Sequence, residues 1–229
     1  MLRKKLISEL ANKVLSLKTR NPIRVGVSGI TSSGKTTLAN ELTEELQNRR
    51  KNVIRTSIDH FHNPRSVRYR QGKESALGYY QDAHDYESFK HKLLTPLGPE
   101  GNFHYQAASL DLATDQYVKP NIQLATKDMI LIVDGTFLFK KQLCNLYDFK
   151  IFVSTDFELA RKRGAKREEQ AFGSYEKAEE MFIKRYHAAS KIYLDEHQPQ
   201  FSADVVINNN DLNNPYFIFI RTNIIKLKN

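Results

Sequence analysis

The stretch RVGVSGITSSGKTTLANEL, residues 24–42, decides the fold. RVGVSG (24–29) has the apolar run of a buried strand ending in a glycine turn, and KTTLANELTEELQNRR (35–50) carries Leu38, Leu42 and Leu46 at helical spacing. Between them, GITSSGKT (29–36) matches G-x-x-x-x-G-K-[ST]. Gly29 and Gly34 permit backbone conformations closed to other residues, so successive N–H groups can converge on phosphate oxygens. The following helix aims its positive end at the same point. Lys35 is then expected to neutralise β- and γ-phosphates, and the Thr36 hydroxyl to ligate Mg²⁺. The nucleotide-binding set expected here is Gly29, Thr31, Ser32, Ser33, Gly34, Lys35, Thr36 and Thr37.

Outward from this loop, strands alternate with helices. NVIRTSID (52–59), MILIVDG (129–135), FKIFVST (149–155) and ADVVINN (203–209) read as strands, with PYFIFI (215–220) as a further candidate. The unbroken apolar run of MILIVDG implies burial on both faces, as in a parallel sheet. A charged helical stretch covers 156–197 with a break at Gly173-Ser174. DYESFKHKLL (85–94) reads as a short helix, and FHYQAASLDLATDQYV (103–118) as a hairpin or extended arm. The pattern is that of an α/β fold with a mostly parallel sheet. The expected organisation is an N-terminal amphipathic helix (1–20), a core domain (21–212) with an insertion at 65–118 and lid helices at 156–197, and a C-terminal extension (213–229) packed on the domain.

Ligands of open α/β sheets bind outside the carboxyl ends of the strands. Two aspartates are expected there. Asp134, ending MILIVD, suits a magnesium role. Asp59, ending the second strand, could accept the proton of an acceptor hydroxyl and orient it for in-line attack. Asp59, His60 and His62 raise the question of a transition metal, but His60 and His62 are two apart and form no helical i, i+4 pair. A hydrogen-bonding or packing role in a loop is the expectation for the histidines, with His62 nearest the substrate.

The 229 residues carry a formal net charge of +9, which favours anionic partners. Arg65, Arg68 and Arg70 follow the Asp59 motif, and ARKRGAKRE (160–168) forms a second basic cluster. A charged helical run is ordinarily a solvated face. The functional alternative is a lid whose Arg161, Arg163 or Arg167 closes on phosphate, with Arg185 in a second lid helix. The charge is spread along the chain, without aromatic-interleaved recognition motifs or a zinc knuckle, which argues against a nucleic-acid partner. The single cysteine, Cys144, rules out an intrachain disulfide framework and suits a reducing compartment. The basic N-terminus places Leu6, Leu10, Val14 and Leu17 at helical spacing and has no continuous apolar core, so no signal peptide is read there. No run long enough to span a membrane occurs, and the cytoplasm is the expected location.

The order of the motifs resembles the uridine kinase family, part of a wider group with phosphoribulokinase and bacterial-type pantothenate kinase. The phosphate loop, SIDHFH, VDGTFLF and the arginine-rich segment carry the likeness. DHFHNPR (59–65), VRYRQGKESALGYYQDAHDYESF (67–89), LLTPLGPEGN (93–102), RYHAASKIYLDEHQP and ADVVINNND extend it over roughly residues 22–212. The resemblance implies a P-loop kinase fold: a three-layer arrangement around a parallel five-stranded sheet, with an acceptor-binding insertion and a helical lid. It implies transfer of the ATP γ-phosphoryl, with Mg²⁺, to a primary hydroxyl such as the 5′-hydroxyl of a nucleoside. Asp59 falls on the family's catalytic aspartate and Asp134 on the acidic residue near magnesium. Asp85 falls on an aspartate that holds ribose hydroxyls, and Tyr105 lies near a tyrosine of the base-binding hairpin. His62, Arg68, Asp85, Tyr105 and Arg185 are the expected acceptor-side residues. His62 stands where uridine–cytidine kinases have a tyrosine. The acceptor is therefore open between uridine, another nucleoside and a pantothenate- or sugar-like alcohol, with a nucleotide-binding regulatory module as the reading from another class. A small-molecule partner is expected, and a homo-oligomer is left open.

Overall fold

A computed structural model describes residues 2–221. Six strands form the main sheet: β1 (Ile23–Gly29), β2 (Val53–Ser57), β3 (Ile130–Gly135), β4 (Phe149–Ser154), β5 (Val205–Asn208) and β6 (Tyr216–Ile220). Their order is β6-β5-β4-β1-β3-β2. The first five in sequence run parallel, and β6 adds an antiparallel edge on β5. The sheet therefore has one strand more than the five-stranded core, supplied by the PYFIFI segment. Residues 222–229 of the expected C-terminal extension lie outside the described residues.

Alternation along β3 explains why its sequence is apolar throughout. Ile130 and Ile132 join one core with Val25, Val27, Ile151 and Val153, while Leu131 and Val133 join another with Phe137, Phe139 and Tyr193. Burial on both faces removes the period-2 polar positions of a half-exposed strand. On the first face lie α1 (Arg3–Leu15) and α2 (Lys35–Asn48), which bury Leu6, Leu10 and Val14 against Leu38, Leu42 and Leu46. The N-terminal helix is thus a structural layer of the domain.

The lid consists of α3 (Phe157–Phe172), α4 (Tyr175–Met181), a π-helical turn at Phe182–His187, and α5 (Ala188–His197), of which α5 packs Ala189 and Tyr193 into the core on the other face of the sheet. Gly173 stops α3 in the left-handed conformation at φ +85°, and the Ser174 side chain caps α4 by accepting from Lys177 N at 3.3 Å. The Gly-Ser break seen in the sequence is therefore a C-cap followed at once by an N-cap. The Tyr193 hydroxyl on α5 accepts from Phe139 N at 2.9 Å and lies 3.2 Å from Ser28 Oγ, which moors this end of the lid to the sheet. The segment between β2 and β3 holds short helices, including Ala76–Asp82 and Tyr86–Phe89, and two small ribbons that pair His104–Tyr105 with Gln123–Leu124 and Leu110–Asp111 with Gln116–Tyr117. Among the described residues, no helix is long and apolar enough to cross a membrane.

Candidate active site

Parallel pairing brings the phosphate loop and both acids to one end of the sheet. In register, Val27 of β1 faces Asp134 of β3, and Asp134 faces Ser57 of β2. The loop leaving β1 and the turn leaving β2 therefore flank Asp134. Together with the lid they enclose a cleft of about 460 Å³, lined by Lys35, Asp59, Arg68, Arg167 and Arg185 among others.

Gly34 sits at φ +89° and opens α2. A Cβ there would come within 2.3 Å of Asn209 Nδ2, which donates to Ser33 O at 2.7 Å. Glycine is needed both for the backbone conformation and for the close approach of the loop after β5. The Ser32 and Ser33 hydroxyls are buried without a hydrogen-bond partner among the described residues. Buried polar groups are seldom left so. A cradle of unpaired hydroxyls at a helix N-terminus fits a phosphate chain. Burial lowers the pKa of the Lys35 ammonium, while the carboxylates of Asp134 and Asp59 work to keep it charged. Thr37 lines the cleft beside them.

Asp134 is buried, and both its carboxylate oxygens are engaged: one accepts from Thr36 Oγ1 and the other from Arg55 Nη2 at 2.7 Å. Thr36 and Asp134 thus meet as a hydroxyl–carboxylate pair beside the loop. These oxygen donors fit Mg²⁺, which takes one or two protein ligands and keeps its waters. Arg55, on β2, was not among the residues that the sequence singled out. Its signal was weak, a charge inside an otherwise ordinary strand.

Asp59 lies in a 3-10 turn (Ile58–Phe61) beyond the end of β2, two residues later than a strand-end position. Ser57 Oγ accepts from its backbone N–H at 3.2 Å and fixes the turn. The Asp59 side chain is 62% exposed and opens into the cleft, with His62 Nε2 and His84 Nε2 each 3.5 Å from its Oδ1. The surrounding cleft walls partly desolvate Asp59 and work to raise its pKa, but the two neighbouring imidazoles outweigh this and hold the carboxyl well below its usual range. His84 is buried, which with the nearby His62 pushes its pKa down to about 4.

The structure places His84, rather than Asp85, beside Asp59. An antiparallel bridge pairs His62 with His84 and stacks their rings at 4.4 Å. His84 thereby faces Asp59, and Asp85 turns away to cap the next helix, accepting from Ser88 N at 2.9 Å. The spacing of Asp85 and Ser88 was the available signal, since an aspartate three residues before the bonded amide is a normal N-cap. Tyr105 is likewise absent from the cleft lining. It is buried in the apolar core and donates to Gln123 Oε1 at 2.6 Å, across the ribbon and away from the cleft lining. From the same segment Leu112 reaches the cleft.

The lid arginines divide. Arg163 donates to Asn209 O at 3.0 Å and Asn210 O at 2.5 Å, so its guanidinium ties α3 to the loop after β5 rather than facing the cleft. Arg167, one turn on, lines the cleft, with Nε 2.9 Å from Glu168. Arg161 pairs with Glu179 at 3.0 Å between the lid helices. Lys162 and Lys166 behave as the solvated face, pairing with Glu158 and Glu169. Arg185 is buried in the cleft wall, bonded to Lys73 O and placed 5.1 Å from the ring centres of both Tyr69 and Tyr79. Arg68 lines the same wall and pairs with Asp115 at 2.8 Å. Tyr69, Tyr79, Phe182 and Tyr186 add an aromatic lining for which the sequence carries no motif.

A family model described as Phosphoribulokinase / Uridine kinase family matches residues 24–214. The chain belongs to that family. Among curated members, a uridine kinase of Brevibacillus brevis is 30% identical over 141 residues, covering 61% of this chain and 63% of that protein. A chloroplastic uridine/cytidine kinase of Arabidopsis thaliana is 27% identical over 150 residues, covering 65% of this chain and 30% of that protein. The chain thus matches less than two thirds of the length of either. A solved structure from Bacillus stearothermophilus, described as a possible uridine kinase, superposes with a TM-score of 0.68 at 28% identity, covering 89% of this chain and 97% of that one. This phosphoribulokinase/uridine kinase fold accounts for the parallel sheet, the loop and the lid seen here.

Proposed function

We propose that the chain is an ATP-dependent kinase that transfers the γ-phosphoryl to a primary hydroxyl, with the 5′-hydroxyl of uridine or a related nucleoside as the leading acceptor. One observation carries the reading: Asp59 opens into the same cleft as the phosphate loop and Lys35. A nucleotide switch needs no such acid, whereas a kinase needs one to take up the proton of the attacking hydroxyl. In the transfer, the acceptor O–H gives its proton to Asp59 and the oxygen bonds to the γ-phosphorus. The bond to the β-γ bridging oxygen breaks and ADP leaves. Lys35 and Arg167 hold positive charge where negative charge spreads, which is the larger part of phosphoryl-transfer catalysis. Thr36 and Asp134 would hold Mg²⁺, whose contribution is to neutralise phosphate charge. The curated relatives are uridine or uridine/cytidine kinases, and this supports a nucleoside acceptor.

A second reading, a different small alcohol as acceptor, has its own support. Asp85 and Tyr105, the residues that the resemblance assigns to ribose and base, are committed to a helix cap and to the core. An acceptor screen decides between them: ATP, Mg²⁺ and a panel of nucleosides and small alcohols, with product mass as the readout. Phosphouridine or phosphocytidine is the expected product. A phosphorylated non-nucleoside instead would favour the second reading, and ATP loss without any phosphorylated acceptor would overturn both.

A further inference from the structure

His62 Nδ1 lies 2.6 Å from Ala83 O, an oxygen that can only accept, so the Nδ1–H donates there. In the neutral ring this leaves a lone pair on Nε2. Nε2 lies 3.5 Å from Asp59 Oδ1. His84 Nε2 reaches the same oxygen at 3.5 Å, and neither ring nitrogen of His84 makes a hydrogen bond of normal geometry among the described residues. Two imidazole nitrogens thus converge on one carboxylate oxygen at a distance too long for a good hydrogen bond.

The spacing has a natural interpretation. Metal bonds of about 2.0–2.2 Å at tetrahedral angles separate neighbouring ligand atoms by about 3.3–3.6 Å. Both carboxylate–imidazole separations fall in that interval, and the ligand atoms of all three residues lie within 4.8 Å of one another. The Ala83 carbonyl supplies the outer-shell hydrogen bond that commonly orients a metal-binding histidine. Stacking at an interplanar angle of 19° aligns the two rings, and burial of His84 limits its movement. Asp59 opens into the cleft, which leaves room for a water as the fourth ligand.

We propose that Asp59, His62 and His84 bind a divalent transition ion such as zinc or cobalt, at the acceptor end of the cleft and apart from the Thr36–Asp134 pair. Two imidazoles and a carboxylate suit these ions, whereas magnesium prefers an all-oxygen shell. His60 and His62, two apart in sequence, cannot form such a site together. The structure supplies the missing ligand, His84, from within the insertion through its bridge to His62. If the kinase reading above holds, the ion would tie up the acid needed for the acceptor and would inhibit transfer.

The test is a cobalt titration of the untagged full-length chain, without nucleotide or turnover, so that its outcome is independent of the kinase reading. One equivalent should bind and give the intense visible bands of four-coordinate cobalt, and zinc should displace it. His62→Asn and His84→Gln should each bind cobalt about tenfold more weakly or worse. Thr36→Ala should leave the bands intact. Circular dichroism of each variant checks folding, and the titration of the unaltered chain stands without any variant. The proposal is overturned if the unaltered chain binds no cobalt, if both folded histidine variants bind as tightly as it does, or if Thr36→Ala removes the signal.

Discussion

At the phosphate end of the cleft the lining groups come from one contiguous loop, between Thr31 and Thr37, with Asp134 bonded to Thr36 behind it. At the acceptor end they come from a turn, an insertion and a lid: Asp59 and His62, then Arg68, Tyr79 and His84, then Arg185 and Tyr186. The first end depends on local backbone geometry that many acceptors can share. The second depends on pairings between residues far apart in the chain, such as the His62–His84 bridge and the Arg185 bond to Lys73 O. A general phosphate device is thus joined to a separately adjustable acceptor wall, so variants at the two ends should fail in different ways.

The sharpest contrast is at Asp59. Asp59→Asn keeps the shape and removes the base, and should lower kcat by about 10³-fold or more while ATP affinity stays within a factor of two. Single-turnover transfer and equilibrium nucleotide binding measure the two quantities. Equal loss of both would assign Asp59 to the nucleotide or to the fold. Lys35→Ala tests the opposite end and should cost about 10²–10³-fold in transfer, with nucleotide affinity falling as well. Full activity in that variant would remove the phosphate-loop assignment.

The lid also reaches the phosphate end, through a close contact at Gly164 on α3. A Cβ there would meet Phe182 at 2.1 Å and Ser32 Oγ at 2.7 Å, so α3 lies directly against both the π-helical turn and the phosphate loop. Gly164→Ala should gain helix propensity yet lose about 1–3 kcal/mol through overpacking. Urea unfolding checks this. A stabilised variant would mean that the lid is looser than its packing indicates.

What the sequence disclosed follows the same division. The phosphate loop, the doubly buried β3 and the Gly173–Ser174 break were legible because each rests on local geometry: φ angles, alternation and caps. Asp59 was legible as an acid near a strand end, although its turn displaces it from β2. The acceptor wall was legible only in part. Arg163 shares a helix face with Arg167, but spacing cannot show that two backbone carbonyls after β5 already take up its donors. His84 needed the bridge to His62, a contact between residues on different segments. Tyr105 needed to be seen in a core that no periodicity in a two-residue strand could signal.

The smallest effect expected separates a structural acid from an acceptor-binding one. Asp85 sits one residue from His84, yet its Oδ1 is held by Ser88 N and its backbone N–H donates to Phe61 O at 2.7 Å. Loss of an N-cap costs about 1 kcal/mol. Asp85→Ala should therefore lower the unfolding free energy by that amount and leave the acceptor KM within a factor of two. Asp85→Ser, which can still cap, should restore most of the stability. Should Asp85→Ala instead raise the acceptor KM by tenfold or more with stability unchanged, Asp85 must leave its cap when the acceptor binds. The acceptor end would then be remodelled on binding, while the phosphate end stays as it is.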